Sequence, residues 1–598
     1  MQAAQYIFDQ LARWGTEKVF MITGGGAMFL NAAVGREKRI QYITCLHEQA
    51  CAIAAEGYAR IARKPGVVCV TSGPGGTNAI TGVTGAWLDS IPMIVISGQV
   101  KRETMTSRCP ELHLRQLGDQ ELNIVDLVRP VTKYATVVDT KESVRFHLEK
   151  AWHLARSGRP GPVWLDIPLD IQSADINPDE LPGFAEELTP PEPSPGEINE
   201  AAQMLNRSRR PVIIAGWGVH ASNSENELRQ LAERFNIPVL LTPSGIDLLE
   251  SEHPLNFGRP GVIGNRAANF IMQNADMLLV IGTRMNLRVI GYNFAAIARN
   301  AKRIMVDIDP DELRKPTFHV DLPIYSDAKI FIEKLLQADI HPDTGEFINY
   351  CRRVYSRYPA ITAEQRTTEK YVSSYLLPEL IAGKLKTPAI VITGNGTAYT
   401  STFQAIPVKK DMRVFANVGC ASMGYGLPAA IGAKLAAPDA QVVLITGDGS
   451  IQMNIQELQT IINLKLPIKI FVYNNDGYLS IKLTQKNFNS GVMVGADSSS
   501  GVILPSLEKI AASYGFAFFR LNNNWEAEAQ ISRILAQPGP VIIEVMTDPM
   551  ENLQPKAASK RLPDGSLYSA PLEDMTPFLN REEFLQNMLI EPYDEAQQ

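Results

Sequence analysis

The stretch GDGSIQMNIQELQTIINLKLPIKIFVYNND, residues 447–476, closes an apolar run with a Gly-Asp-Gly turn. A helix-like segment follows, then a second apolar run of strand length that ends in Asn474 and Asn475. A strand, a helix and a strand in this order form the repeating unit of a parallel sheet, in which loops at the carboxyl ends of neighbouring strands meet at one edge. Gly447 and Gly449 let the backbone turn sharply and present N–H groups at the start of a helix, where a diphosphate is stabilised. Asp448 places one carboxylate beside it, and Asn475 offers a neutral carbonyl oxygen from the next strand. Magnesium takes oxygen ligands at about 2.1 Å and commonly uses only one or two protein carboxylates beside phosphate and water. Gly-Asp-Gly alone reads as a turn. Followed by 24 residues and an Asn pair, it reads as a metal–diphosphate site.

Composition sets the frame. With 598 residues, 45% of them hydrophobic and 20% charged, the chain is long enough for several globular domains. A formal charge of −7 without a basic run gives no reason to expect nucleic acid. The six cysteines lack CxxC spacing and the eight histidines lack metal-ligand spacing, a pattern of reduced thiols. Residues 1–15 read as an amphipathic helix, and no run approaches the ~20 apolar residues that span a bilayer. The expectation is a cytoplasmic protein acting on small molecules, with no membrane partner.

Three α/β blocks follow one another. The proline- and glutamate-rich residues 177–197 read as a linker between a first domain at 1–176 and a second at 198–338. In the second, the runs PVIIAGWG, IPVLLT, MLLVIGTR and RIMVDIDP predict a Rossmann-like parallel sheet. A charged linker at 339–370 leads to a third domain at 371–550 and a C-terminal tail at 551–598, expected to wrap over the surface. The first and third blocks repeat one order: a small-residue helix (EQACAIAAEGYARIA, MGYGLPAAIGAKLA), a strand ending in glycines (VVCVTSGPGG, VVLITGDG), a helix and a strand. A shared origin and the common recurrence of glycine-rich αβ units both account for that order.

Together, HEQACAIAAEGYAR, TSGPGGTN, SGRPGPVWLDIP, VDIDP, ASMGYGLPAAIGA and GDG-x24-NN resemble the thiamine diphosphate-dependent enzymes, in the acetohydroxyacid synthase-like branch. The resemblance implies three doubly wound parallel-sheet domains: pyrimidine-binding, central and diphosphate-binding. It implies magnesium at Asp448, Asn475 and the backbone oxygen of Gly477. It also implies a cofactor held by Gly25, Pro74 and Asn78 of the first domain and by Gly394, Asn395, Gly396, Thr397, Met423, Gly447, Gly449 and Ser450 of the third. Glu48 matches the glutamate that bonds the pyrimidine and makes the cofactor's own amino group a base. Met423 matches the residue that props the cofactor into a bent shape, and Gln120 one near the reacting carbon. Active sites between chains are implied, hence a homodimer or homotetramer.

The departures concern substrate. Asp119 and Leu169 replace a phenylalanine and a lysine of the acetohydroxyacid synthases, and Thr484 replaces the tryptophan that walls the acceptor pocket, to which Ile481 is also assigned. A larger, more polar pocket is expected. The predicted activity is a carboligase that decarboxylates a 2-oxo acid such as pyruvate and transfers the acyl anion to a carbonyl acceptor. A thiamine-dependent decarboxylase or carbon–carbon lyase is the alternative, and Glu48, Asp448 and Asn475 argue against a non-enzymatic binding protein. FAD stays open. Arg159, Arg284, Asp307 and Asp309 match positions near the flavin, whereas GRPG (residues 258–261) replaces the usual methionine-histidine pair.

Overall fold

The computed structural model describes residues 1–187, 189–561 and 567–593. Three parallel sheets follow one another along the chain, each built from short apolar strands with helices between them. Such strands are covered on both faces, which is why runs like Met277–Ile281 and Ala389–Thr393 are buried at every position.

In the first sheet the order is Gln41–Thr44, Lys18–Met21, Gly66–Val70, Met93–Gln99, Pro162–Pro168 and Tyr134–Val137. The third runs Met412–Phe415, Ala389–Thr393, Gln441–Gly447, Lys469–Asn474, Val541–Met546 and Ala517–Leu521. Numbered within its own domain, each reads 2-1-3-4-6-5, so the two blocks share topology and not merely local pattern. The central sheet, Val239–Leu241, Pro211–Ala215, Met277–Ile281, Lys302–Asp307 and Leu322–Tyr325, reads 2-1-3-4-5. In all three the chain reverses its winding between strands 1 and 3. Open α/β sheets bind ligands at that crevice.

Two segments depart from the expected layout. Residues 339–370, read as a linker, contain the helix Gly345–Arg357, whose Phe347, Tyr350, Cys351 and Val354 pack into the core of the central domain. The tail forms two short antiparallel pairs and sends Leu572 and Phe584 into that same core. Arg266 ties it down by donating to the carbonyl oxygens of Met575 (3.3 Å) and Pro577 (2.6 Å). Among the described residues no helix is long and apolar enough to cross a membrane, and all six cysteines are free.

Candidate active site

The Asp448 turn lies at the crevice of the third sheet. Strand Gln441–Gly447 ends there, and the short helix Asp448–Ile451 starts at once, followed by a 3-10 turn and the helix Glu457–Asn463. The single helix expected between the two motifs is therefore broken into pieces, which lets the first turn face the crevice. Asp448 is buried, and its carboxylate accepts from the amides of Gly449 (2.8 Å), Gly477 (3.0 Å) and Asn475 (3.3 Å). Burial pushes its pKa up to about 6 against the pull of those amides, so a cation beside it would relieve a desolvated carboxylate.

Asn475 supplies the second observation. Its Oδ1 is buried and accepts no hydrogen bond among the described residues, a cost that a ligand would remove. Among the described residues no group of three or more His, Cys, Asp or Glu could hold a metal. A cation here would rest on one carboxylate and neutral oxygens, which suits magnesium beside a diphosphate. Glycine is required at the turn, because a Cβ on Gly449 would lie 2.3 Å from the Tyr478 ring. Lys482, fully buried, donates to the carbonyl oxygens of Asn475 (2.7 Å) and Asp476 (3.2 Å) and holds this loop in place. Nothing in the sequence sets Lys482 apart from other helix lysines.

The turn opens into a cleft of about 460 Å³. Its walls include Gly394, Asn395, Gly396, Thr397, Met423, Gly447, Gly449, Ser450, Gly477 and Ile481, together with Arg288, Tyr399 and Asn417, which sequence reading missed. Gly394 and Asn395 sit where strand Ala389–Thr393 ends and helix Gly396–Ala405 begins, directly across the crevice from Asp448. Arg288 stacks over Tyr399 at 5.5 Å and forms no ion pair among the described residues. The hydroxyl of Tyr399 is buried without a partner among the described residues.

The pyrimidine-domain candidates assemble separately, at the crevice of the first sheet. Asn78 donates to Glu48 Oε2 at 2.9 Å, and a Cβ on Gly75 would come within 3.7 Å of Glu48 Oε1. The carbonyl of Gln120 would meet a Cβ on Gly73 at 2.5 Å, which puts Gln120 beside Pro74. Gly25 lies between Gly24 and Gly26, which press on Thr71 and Ser72. Gly25, Pro74, Asn78 and Gln120 are exposed and Glu48 is half-buried. None of them lines the cleft at Asp448.

The acceptor candidates are not brought together within one chain. Ile481 lines the cleft at Asp448, while Thr484, one turn further on helix Leu479–Phe488, is exposed and donates to the carbonyl of Ser480 at 2.9 Å. Leu169 lines a different cleft with Met28, Lys101 and Arg102, and Asp119 is exposed. A further cleft of about 440 Å³ occupies the crevice of the central sheet, with Arg159, Arg284 and Asp307 in its walls. Arg159 pairs there with Asp309 and Glu312, each at 2.9 Å. The GRPG segment is not among its walls: Arg259 is buried and donates to the carbonyls of Phe403 (2.6 Å) and Ile406 (2.5 Å).

Family models described as the thiamine pyrophosphate enzyme N-terminal TPP binding domain, central domain and C-terminal TPP binding domain match residues 1–126, 198–335 and 392–545. The chain belongs to the thiamine diphosphate-dependent enzymes, in a branch similar to the acetolactate synthases. It is 34% identical over 553 residues to the acetolactate synthase isozyme 1 large subunit of Escherichia coli (strain K12), covering 92% of this chain and 95% of that protein. It is 32% identical to the acetolactate synthase large subunit of Lactococcus lactis subsp. lactis (strain IL1403), over 92% and 93% of the two chains. With the chloroplastic acetolactate synthase of Arabidopsis thaliana it shares 33% identity, over 93% and 83%.

Proposed function

We propose that this enzyme is a magnesium-dependent carboligase that decarboxylates a 2-oxo acid, pyruvate being the expected donor, and adds the acyl unit to a carbonyl acceptor larger or more polar than that of the acetolactate synthases. The observation that carries the reading is the buried, unpartnered Oδ1 of Asn475 beside the Asp448 carboxylate. Thiamine diphosphate, when bound, supplies a carbon nucleophile that stabilises the acyl anion. Asp448, Asn475 and the backbone oxygen of Gly477 would hold magnesium, and the Gly394 and Gly447 turns would receive the diphosphate. Glu48 would hold a proton at the pyrimidine ring, with Asn78 orienting its carboxylate. The unpaired guanidinium of Arg288 suits the carboxylate of a 2-oxo acid.

A complete site would need two copies of the chain, because the Glu48 group and the Asp448 cleft do not share walls. Exposed Met28, Leu46, Met453 and Ile481 flank the two half-sites and support burial there in a dimer or tetramer. The short hydroxyl side chain of Thr484, in place of a tryptophan, supports the wider acceptor pocket. FAD in the central cleft is consistent with Arg159, Arg284 and Asp307, and the visible flavin absorbance of purified protein tests it.

The deciding experiment supplies pyruvate, cofactor and magnesium with a panel of aldehydes, ketones and keto-sugars, then follows carbon dioxide and identifies products by mass spectrometry. Carbon dioxide release with incorporation of a bulky acceptor is expected. Release of free acetaldehyde alone, whatever acceptor is added, would assign the protein to the decarboxylases.

A further inference from the structure

Glu457 lies between the Asp448 turn and the Asn474–Asn475 pair. Its helix, Glu457–Asn463, follows the Asp448 turn in the same domain. The side chain is fully buried, where a carboxylate survives only with its oxygens satisfied. Its Oε1 reaches the first domain and accepts from the amide of Leu46 at 2.9 Å, while Oε2 accepts from the Thr460 hydroxyl at 2.6 Å. The amide of His47 adds to this hold on the charged form, against the upward pull of burial. Leu46 and His47 are the last residues before helix Glu48–Ala62, and His47 caps it, its ring nitrogen accepting from the amide of Gln49 at 3.1 Å. The point at which the chain enters that helix is therefore held from the diphosphate-binding domain, and Glu48 is the helix's first residue.

We propose that Glu457 is a positioning residue for Glu48: through the Leu46 amide it sets the orientation of the pyrimidine-side carboxylate and links it to the helix that follows the Asp448 turn. This rests on the role given above to Glu48. A carboxylate that merely joined two domains would affect stability when removed. A positioning carboxylate affects the rate of reaction while the cofactor remains bound.

The test uses full-length protein carrying Glu457→Leu, Glu457→Gln or Glu48→Gln. Three quantities are read: hydrogen–deuterium exchange of the peptide spanning residues 41–50 without cofactor, the Kd of thiamine diphosphate with magnesium, and kcat and KM for carbon dioxide release from pyruvate. In Glu457→Leu the peptide should exchange at least tenfold faster and kcat should fall at least tenfold, with Kd and KM within threefold of wild type. Glu457→Gln keeps a carbonyl oxygen for the Leu46 amide and should recover most of both losses. Unchanged exchange, unchanged kcat, or a kcat loss matched by an equal loss of cofactor affinity overturns the proposal. If the leucine variant fails to fold, Glu457→Asp, one methylene short of Leu46, takes its place under the same criteria. Near-normal turnover by Glu48→Gln overturns the role of Glu48 itself, and exchange at residues 41–50 tells that failure apart from one at Glu457.

Discussion

Gly432 lies directly against the carbonyl oxygen of Ala54, so that a Cβ at position 432 would sit 1.9 Å from it. The contact joins helix Gly426–Ala436 of the third domain to helix Glu48–Ala62 of the first, and Gly57 repeats it against the carbonyl of Ala429 at 2.4 Å. Backbone on both sides leaves no flexible group to yield. Gly432→Ala is expected to cost at least about 1–3 kcal/mol by forcing the helices apart. Gly383→Ala, in helix Leu376–Lys384 with nothing within 4 Å, should instead raise stability by up to about 1 kcal/mol. Chemical denaturation of the two variants reads both signs, and equal midpoints would mean that the helices separate freely.

Arg60 is the centre of a buried charge cluster. Its guanidinium donates to Glu56 Oε1 at 2.5 Å and to Asp89 Oδ2 at 2.6 Å. Asp89 in turn accepts from the amides of Val418 (2.9 Å) and Gly419 (2.8 Å), and Asn417 donates to Glu56 at 3.1 Å. Asn417 and Val418 are walls of the cleft at Asp448. Arg60→Met leaves two carboxylates buried without their cation, for an expected loss of about 3–5 kcal/mol. Cofactor affinity should fall as well, measured by calorimetry. A stable variant with wild-type affinity would show that the amides alone hold this wall.

Asp166 gives a pH dependence that owes nothing to the active site. It is fully buried beneath Ser97 (2.5 Å) and Gln99 (2.9 Å), and burial raises its pKa to about 7. The folded protein keeps this proton at pH values where the unfolded chain, titrating near 4, has lost it. Stability from this group is therefore present at low pH and is lost as pH rises from about 4 to about 7. Asp166→Asn mimics the protonated form and should gain on wild type across that window, with a stability difference that levels off above about pH 7. A difference independent of pH would mean that Asp166 stays charged in the fold.

Removing either metal-side group should show in cofactor retention. Asp448→Ala and Asn475→Leu are each expected to weaken magnesium and thiamine diphosphate together by at least tenfold, since in the proposed site the ion would join the diphosphate to the protein. Calorimetric titration at low magnesium checks this, and unchanged affinity in both variants would move the site elsewhere.

Thr484→Trp probes the acceptor side. Thr484 lies three residues beyond Ile481 on one helix, and Ile481 lines the cleft. A tryptophan there should leave carbon dioxide release from pyruvate close to wild type and reduce carboligation with a bulky acceptor at least tenfold, about 1.4 kcal/mol or more. Unchanged product distribution would remove Thr484 from the acceptor pocket.

The amino-acid sequence by itself determined the three parallel sheets, their order and the pairing of Asp448 with Asn475. Those features are local: apolar runs of strand length, glycines at turns, and a spacing that a strand-helix-strand unit converts into proximity at one edge. Only the tertiary structure decided which charged residues would be buried, and with what partners. Lys482 reads as a solvated helix residue until the Asn475–Asp476 carbonyls fold over it, and Glu457 until Leu46 arrives from 411 residues away. The residues 345–357 read as connector because Glu346, Arg352, Arg353 and Arg357 break up the apolar face that Phe347, Ile348, Tyr350, Cys351 and Val354 bury. A lone charge loses far more by leaving water than any local pattern returns, so its burial depends on partners that the fold alone assembles.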